Sequence, residues 1–387
     1  LQHLLNTNVK NIEISGIRKF FNLVAGEQDV ISLTIGQPDF YTPAHIKSAA
    51  VSAVENNKTS YTPNAGIIEL RKAITAYYEE NYEVVYDPES EVIVTTGASQ
   101  AIDITFRTIL NPGDEVILPG PIYPGYEPLI TLAGASPVYV DTTKDNFKLT
   151  KTKLEKSITE KTKCIVLPYP SNPTGASYSY EELQEIVSVM KSNAIFILAD
   201  EIYSELVYEQ KHISIAGFEE VKEQTIIVNG LSKSHAMTGF RLGYTLAPQW
   251  LSQQMLKVHQ YNVTCATSIS QYAGLQALRA GKDDAIRMRE AYLKRRNYVY
   301  DRLVNMGLEV GKKPEGAFYF FIKFPCGKLN SFQLGLDLVR KGKVALVPGS
   351  SFSSIGEGYM RLSYAYDMDT LKQGLDRLED YLNNVYE

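Results

Sequence analysis

Three cysteines in 387 residues, Cys164, Cys265 and Cys326, are too few and too far apart for a disulfide framework. No CxxC pair or Cys/His cluster accompanies them, and the five histidines are equally scattered, so no zinc site is indicated. The chain also lacks any run of the ~20 apolar residues that a membrane helix needs. Positive charge is not in excess: 39 Lys and Arg against 44 Asp and Glu give a net charge of −5. That balance argues against a nucleic-acid partner gripped through its phosphates. The opening LQHLLNTNVKNIEI does not have the basic-then-apolar layout of a secretory signal. Isolated cysteines suit a reducing compartment, so the expectation is a cytoplasmic protein that binds neither nucleic acid nor membrane.

What is present is alternation. PAHIKSAAVSAVENN and IIELRKAITAYYEENY carry apolar residues at helical spacing. EVIVTTG, DEVILPG, SPVYVD, TKCIVLPY, AIFILAD and TIIVNG follow, each a short apolar, β-branched run ending in Gly, Pro, Asp or Asn, with helical segments such as SYEELQEIVSVMKS between several of them. Apolar strands alternating with helices predict an α/β fold with a mostly parallel sheet covered on both faces. Past residue 283 the pattern changes to α+β. DDAIRMREAYLKRRNYVYDRLVNMG reads as a long amphipathic helix, AFYFFIKF and YMRLSYA as strands, and TLKQGLDRLEDYLNNVY as a closing helix. The expected division is an N-terminal arm with part of a small domain over 1–43, a large domain over 44–282 and a smaller C-terminal domain over 283–387.

Ligands of open α/β sheets bind beyond the carboxyl ends of the strands. The residues just after the apolar runs are Gly97-Ala98-Ser99, Gly120-Pro121-Ile122-Tyr123, Asn172-Pro173-Thr174-Gly175, Asp200-Glu201-Ile202-Tyr203 and Ser232-Lys233. A carboxylate directly after the apolar AIFIL run needs a cationic partner, either a protein side chain or a protonated ring nitrogen. A lysine in a small-residue loop at a strand end is desolvated in part, which makes its amine nucleophilic. Pyridoxal phosphate asks for this combination: a lysine for its aldehyde, an acid for its ring nitrogen, donors for its phenolic oxygen and an anion site for its phosphate. Lys233 and Asp200 supply the first two, and Tyr203 and Asn172 the third. The helix start at Gly97, Ala98 and Ser99, with Ser232 and Arg241, supplies the fourth. Taken singly, several of these residues read more plainly. Tyr123 is one of 26 tyrosines and could be packed at a loop. Arg361, in YMRLSY, could face solvent. His235 reads as structural, Cys265 as core, and Asn229-Gly230 as a loop of a parallel sheet.

In combination they are more specific. Gly36-Gln37-Pro38-Asp39, Tyr61-Thr62-Pro63, Gly97-Ala98-Ser99, Ser171-Asn172-Pro173-Thr174-Gly175, Asp200-Glu201-Ile202-Tyr203, Ser232-Lys233, Arg241 and Arg361 follow one another along essentially the whole chain. In order and spacing they resemble the class I/II pyridoxal-phosphate aminotransferases of fold type I. The resemblance implies a seven-stranded-type sheet sandwiched by helices, plus a smaller α+β domain. It implies that Lys233 binds the cofactor and shuttles a proton, that Asp200 keeps the ring nitrogen protonated, and that Tyr203 and Asn172 bond the phenolic oxygen. Tyr123 would stack on the ring. Arg361 would grip the substrate carboxylate, assisted by Asn172 and the backbone at Gly36. Tyr61 would reach the phosphate of a second subunit, which makes the protein a homodimer with shared active sites.

The reaction so implied is ping-pong transfer of an amino group from an L-amino acid to a 2-oxo acid, 2-oxoglutarate being the usual acceptor of the family. SGIRKFF, from Ser15 to Phe21, resembles the mobile segment of a subgroup that includes aromatic, aspartate, alanine and N-acetyl-diaminopimelate enzymes. Some aspartate enzymes carry a lysine in the glycine loop; here that loop is Gly97-Ala98-Ser99, without a cation. That absence weakens the aspartate reading; the overall resemblance to the subgroup, rather than any pocket residue, implies an N-acetyl-diaminopimelate or broad-range enzyme, with aspartate aminotransferase and a fold type I C–S β-lyase as alternatives. A cofactor-binding transcriptional regulator is disfavoured, because no stretch is left over for a DNA-binding domain.

Overall fold

The computed structural model describes residues 1–325 and 327–386; Cys326 lies outside them. Twelve strands occur in the described chain: β1 (Ile31–Ser32), β2 (Val92–Thr95), β3 (Glu115–Gly120), β4 (Ser136–Asp141), β5 (Thr162–Pro168), β6 (Phe196–Asp200), β7 (Thr225–Gly230), β8 (Gly243–Leu246), β9 (Tyr319–Lys323), β10 (Val344–Ala345), β11 (Val347–Pro348) and β12 (Tyr359–Ser363). Seven of them form one sheet in the order β2-β8-β7-β6-β5-β3-β4. All neighbours in it are parallel except β8, which runs antiparallel to both β2 and β7.

Successive side chains of a strand face opposite sides, so a strand buried on both sides must be apolar throughout. Leu198 packs with Val116, Leu118, Val166 and Val228 under the helices Gly97–Ile109 and Gln249–Val263. Its neighbours Ile197 and Ala199 pack on the other face with Ile165 and Leu167, against the helix Tyr180–Met190. On that same face, Val92, Val94 and Ile227 meet the helices Ile68–Tyr82 and Ser268–Ala280. Each fully buried Leu, Ile or Val contributes roughly 1.5–3 kcal/mol relative to exposure. The helix Tyr180–Met190 begins with a capping box, in which Ser179 and Glu182 each satisfy the other's backbone N–H.

Beyond the large sheet, β11, β12 and β9 pair antiparallel, and β1 pairs with β10. The helices Asp284–Asn305 and Met368–Tyr386 cover them over a core that includes Phe318, Tyr319, Phe320, Leu362 and Leu375. Leu33, Tyr203 and Leu206 enter the same core, so the segment after β6 is packed into the C-terminal layer.

Two expectations are corrected. Asn229-Gly230 is not a loop of a parallel sheet: both residues end β7 and pair antiparallel with Tyr244 and Gly243 of β8. Cys265 is half-buried in the link between two helices rather than in the core.

Candidate active site

Because β2, β3, β5, β6 and β7 all point the same way, their carboxyl ends share one edge of the sheet. A cavity of about 470 Å³ lies there, lined by Gly36, Ala98, Ser99, Tyr123, Asn172, Asp200, Tyr203, Ser232, Lys233, Arg241 and Arg361. Eleven of the thirteen residues singled out from the sequence thus meet around one space. Gly97 stands directly behind it. Tyr61 does not join it and is 85 % exposed.

Asp200 ends β6 and is buried. The Tyr126 hydroxyl donates to it at 2.6 Å and the Ile202 N–H at 3.1 Å. Among the described residues no cationic side chain forms an ion pair with it. Burial raises its carboxyl to about 6, against the pull of those two donors.

Lys233 lies on the one-turn helix Leu231–Ser234 that follows β7. Its Nζ donates to the Gly36 carbonyl at 2.5 Å. It faces the rings of Tyr203 and Phe318 at 5.7 and 5.9 Å. Burial, reinforced by the positive charges of Arg361 and Arg241, lowers its amine to about 8.

Arg361, on β12, is 2 % exposed. One Nη donates to Asn172 Oδ1 at 2.9 Å and the other to the Thr34 carbonyl at 2.6 Å. Its guanidinium lies 4.4 Å from the Tyr319 ring centre and 5.0 Å from that of Phe352. Its buried Nε has no partner, and no carboxylate among the described residues pairs with it.

The helix Gly97–Ile109 points its N-terminus at the same space. Gly97 has φ +76°, and a Cβ there would come 2.5 Å from Arg241 Nη2, so the guanidinium rests against the bare backbone of the first turn. Gly243 opens β8 in contact with that turn: a Cβ on it would come 2.5 Å from the Ala98 nitrogen. Arg241 itself takes φ +51° and donates to the Thr238 carbonyl at 3.0 Å. An exposed guanidinium beside free helical N–H groups makes an anion site.

The cavity therefore has an anion-binding end, a lysine with a softened charge, a buried acid without a cation and a buried arginine without an acid. The comparisons with known proteins agree in kind. The profile of the family described as aminotransferase class I and II matches residues 28–378. The chain belongs to this aminotransferase family.

One relative, a probable N-acetyl-LL-diaminopimelate aminotransferase of Bacillus subtilis, is 60 % identical over 98 % of this chain and 96 % of its own length. An aspartate aminotransferase of Pyrococcus abyssi is 42 % identical over 95 % of each chain. The crystal structure of an aromatic aminotransferase from Pyrococcus horikoshii superposes with a TM-score of 0.89 at 39 % identity, covering 95 % of this chain and 99 % of that one. Transamination between an amino acid and a 2-oxo acid is the activity of this aminotransferase. Its cavity also contains residues that the motifs did not flag. Tyr126 bonds Asp200. Ile17 and Phe21 line the opening from the helix Gly16–Val24, four residues apart and so on one face of it. SGIRKFF was the only sequence signal for that wall; for Tyr126 there was none.

Proposed function

We propose that this aminotransferase works with pyridoxal 5′-phosphate held by the residues just described, and that its physiological donor is an N-acetyl-diaminopimelate-type amino acid with 2-oxoglutarate as acceptor. The observation that carries the reading is the pair of unmatched charges facing one cavity. Burying an unpaired carboxylate and an unpaired guanidinium is costly, and both become matched when a cationic ring nitrogen meets Asp200 and an α-carboxylate meets Arg361. The orphaned Arg361 Nε and the glycine-backed Arg241 fit the same ligand set.

When bound, pyridoxal phosphate supplies an aldehyde for the amino group and a ring that takes up the electron pair released at the α-carbon. The chain's own residues do the rest. Arg241, Ser232 and the N–H groups of Gly97, Ala98 and Ser99 bind the phosphate. Asp200 holds positive charge at the ring nitrogen, and Tyr126 fixes its orientation. Tyr203 and Asn172 donate to the phenolic oxygen, and Tyr123 supplies a ring wall. Arg361 orients the substrate carboxylate with its planar fork, with Asn172 and Gly36 beside it. Lys233 carries the proton at Nζ, its amine already softened towards neutral pH. Ile17 and Phe21 shield the reacting atoms from water.

The 60 % relative supports the diaminopimelate side of the substrate question. The exposed Tyr61 supports a homodimer in which each chain completes its partner's phosphate site. We place the enzyme in the cytoplasm, with the domain division expected from the sequence.

An absorption spectrum taken before and after single amino acids are added tests the proposal. The expected result is a yellow band that N-acetyl-LL-diaminopimelate converts, with 2-oxoglutarate restoring it, and no turnover in Lys233→Ala. A protein that stays colourless when supplied with the cofactor would refute the cofactor reading. Conversion by aspartate alone would refute the donor, and pyruvate formed without an acceptor would indicate a lyase.

A further inference from the structure

Tyr319 belongs to none of the motifs, yet it touches three groups of the site at once. Its hydroxyl lies 2.8 Å from that of Tyr203. Its ring lies under the Arg361 guanidinium at 4.4 Å. A Cβ on Gly36 would come 3.2 Å from its hydroxyl, so the glycine leaves it room. Tyr319 opens β9 and is fully buried. Ser363 of β12 sits opposite it and Arg361 opposite Phe321, which makes Tyr319 and Arg361 diagonal neighbours on one face of the sheet.

We propose that Tyr319 is a positioning residue for transamination: it donates its O–H to Tyr203, fixing the direction of that tyrosine's own proton, while its ring seats the Arg361 guanidinium. The proposal rests on the reading of Tyr203 and Arg361 given above. Two hydroxyls in contact share one hydrogen, and either can give it. If Tyr203 is to donate into the cavity, it must accept from Tyr319. A hydroxyl that accepts a bond donates a stronger one, because chained hydrogen bonds polarise one another. On the other side, a buried guanidinium with two carbonyl-type acceptors and a free Nε still has freedom to tilt. The Tyr319 ring below it, with Phe352, removes that freedom and faces its charge with a π surface. One side chain thereby aligns the group assigned to the cofactor with the group assigned to the substrate.

The test uses the full-length holoenzyme and the variants Tyr203→Phe, Tyr319→Phe, the double variant and Tyr319→Leu. The readouts are the pH midpoint at which the visible band changes, kcat, KM and the thermal midpoint. A donor to the deprotonated phenolic oxygen lowers the pKa of the proton coupled to it, so losing the donor moves the midpoint upward. Tyr203→Phe should raise it by about one pH unit, and Tyr319→Phe by about half a unit in the same direction. The double variant should move no further than Tyr203→Phe alone, since the relay is already broken. Tyr319→Phe keeps the ring, so its KM should hold while kcat falls. Tyr319→Leu should in addition raise KM for the amino acid about tenfold, as Arg361 loses its seat.

A Tyr319→Phe midpoint equal to wild type, with Tyr203→Phe shifted, would overturn the proposal and leave the Tyr203 assignment standing. A full additional shift in the double variant would overturn it too, because Tyr319 would then act by another route. An unshifted Tyr203→Phe would overturn the Tyr203 assignment itself. If Tyr319→Leu fails to fold, the two Phe variants still decide.

Discussion

The Tyr126 hydroxyl and the Asp200 carboxylate meet at 2.6 Å with both side chains buried. This is the stronger of the two donations that offset the burial of the acid. Tyr126→Phe removes the donor and keeps the ring. The Asp200 carboxyl should rise beyond about 6, so that it is protonated over a wider range near neutrality. In the cofactor-free protein the Asp200 titration, followed by carboxyl carbon NMR, should therefore move to higher pH. A hydrogen bond to a charged group is worth about 1.5–3 kcal/mol, so the midpoint should rise by about one pH unit or more. An unmoved midpoint would show that the contact does not control Asp200.

Lys233 should behave as a neutral amine at a pH where ordinary lysines are charged. Its amine is lowered to about 8, and only the uncharged form attacks an aldehyde. The rate at which the stripped protein takes up pyridoxal phosphate should rise about tenfold per pH unit below that value and level off above it. A rate still climbing steeply at pH 9–10 would mean that the lysine is not desolvated. The same shift has a consequence for stability. The folded lysine gives up its proton before the unfolded one does, so its destabilising contribution is present below pH 8 and fades as the pH rises from there.

Gly175 should resist any side chain. It has φ +69°, and a Cβ would come 2.6 Å from that of Pro314 and 2.8 Å from the Gly316 carbonyl oxygen. Its own carbonyl accepts from the N–H groups of Glu315 and Gly316 at 2.9 and 3.0 Å. This is where the loop carrying Asn172 is held against the segment leading into β9. Gly175→Ala combines left-handed strain with overpacking and should cost about 2–4 kcal/mol. Urea unfolding measures the cost; a loss under 1 kcal/mol would show that the junction yields.

Legibility in the sequence followed the range of the interactions. β5 and β6 were readable because a strand buried on both faces must be apolar throughout, a local property of its own residues. The helix start at Gly97 was readable because a glycine follows an apolar run directly. Asp200, Lys233 and Arg241 could be joined because they sit at strand ends or just beyond, where the topology brings ligands. β8 is not legible in the sequence: GYTL is short and only half apolar, and its antiparallel direction depends on partners far along the chain. Tyr126 and Tyr319 were invisible for a related reason. Each looks locally like a core tyrosine, and its importance comes from a hydroxyl meeting a residue 74 or 116 positions away. Tyr61 was legible as a motif, but its place at a second subunit's phosphate remains part of the proposal.

Lys233 and Arg241 lie on a single excursion, residues 231–242, whose two ends are pinned where Gly230 of β7 pairs with Gly243 of β8. The neck is pressed against the first turn at Gly97 and Ala98, where a Cβ on Gly243 would come 2.5 Å from the Ala98 nitrogen. The excursion is thus a gauge of fixed span, and the gap between its two cations sets the length of any molecule that engages both. Insertions that an ordinary surface loop would absorb would here change the gauge. Length variation among working descendants of this chain should therefore accumulate elsewhere and leave residues 231–242 uninterrupted.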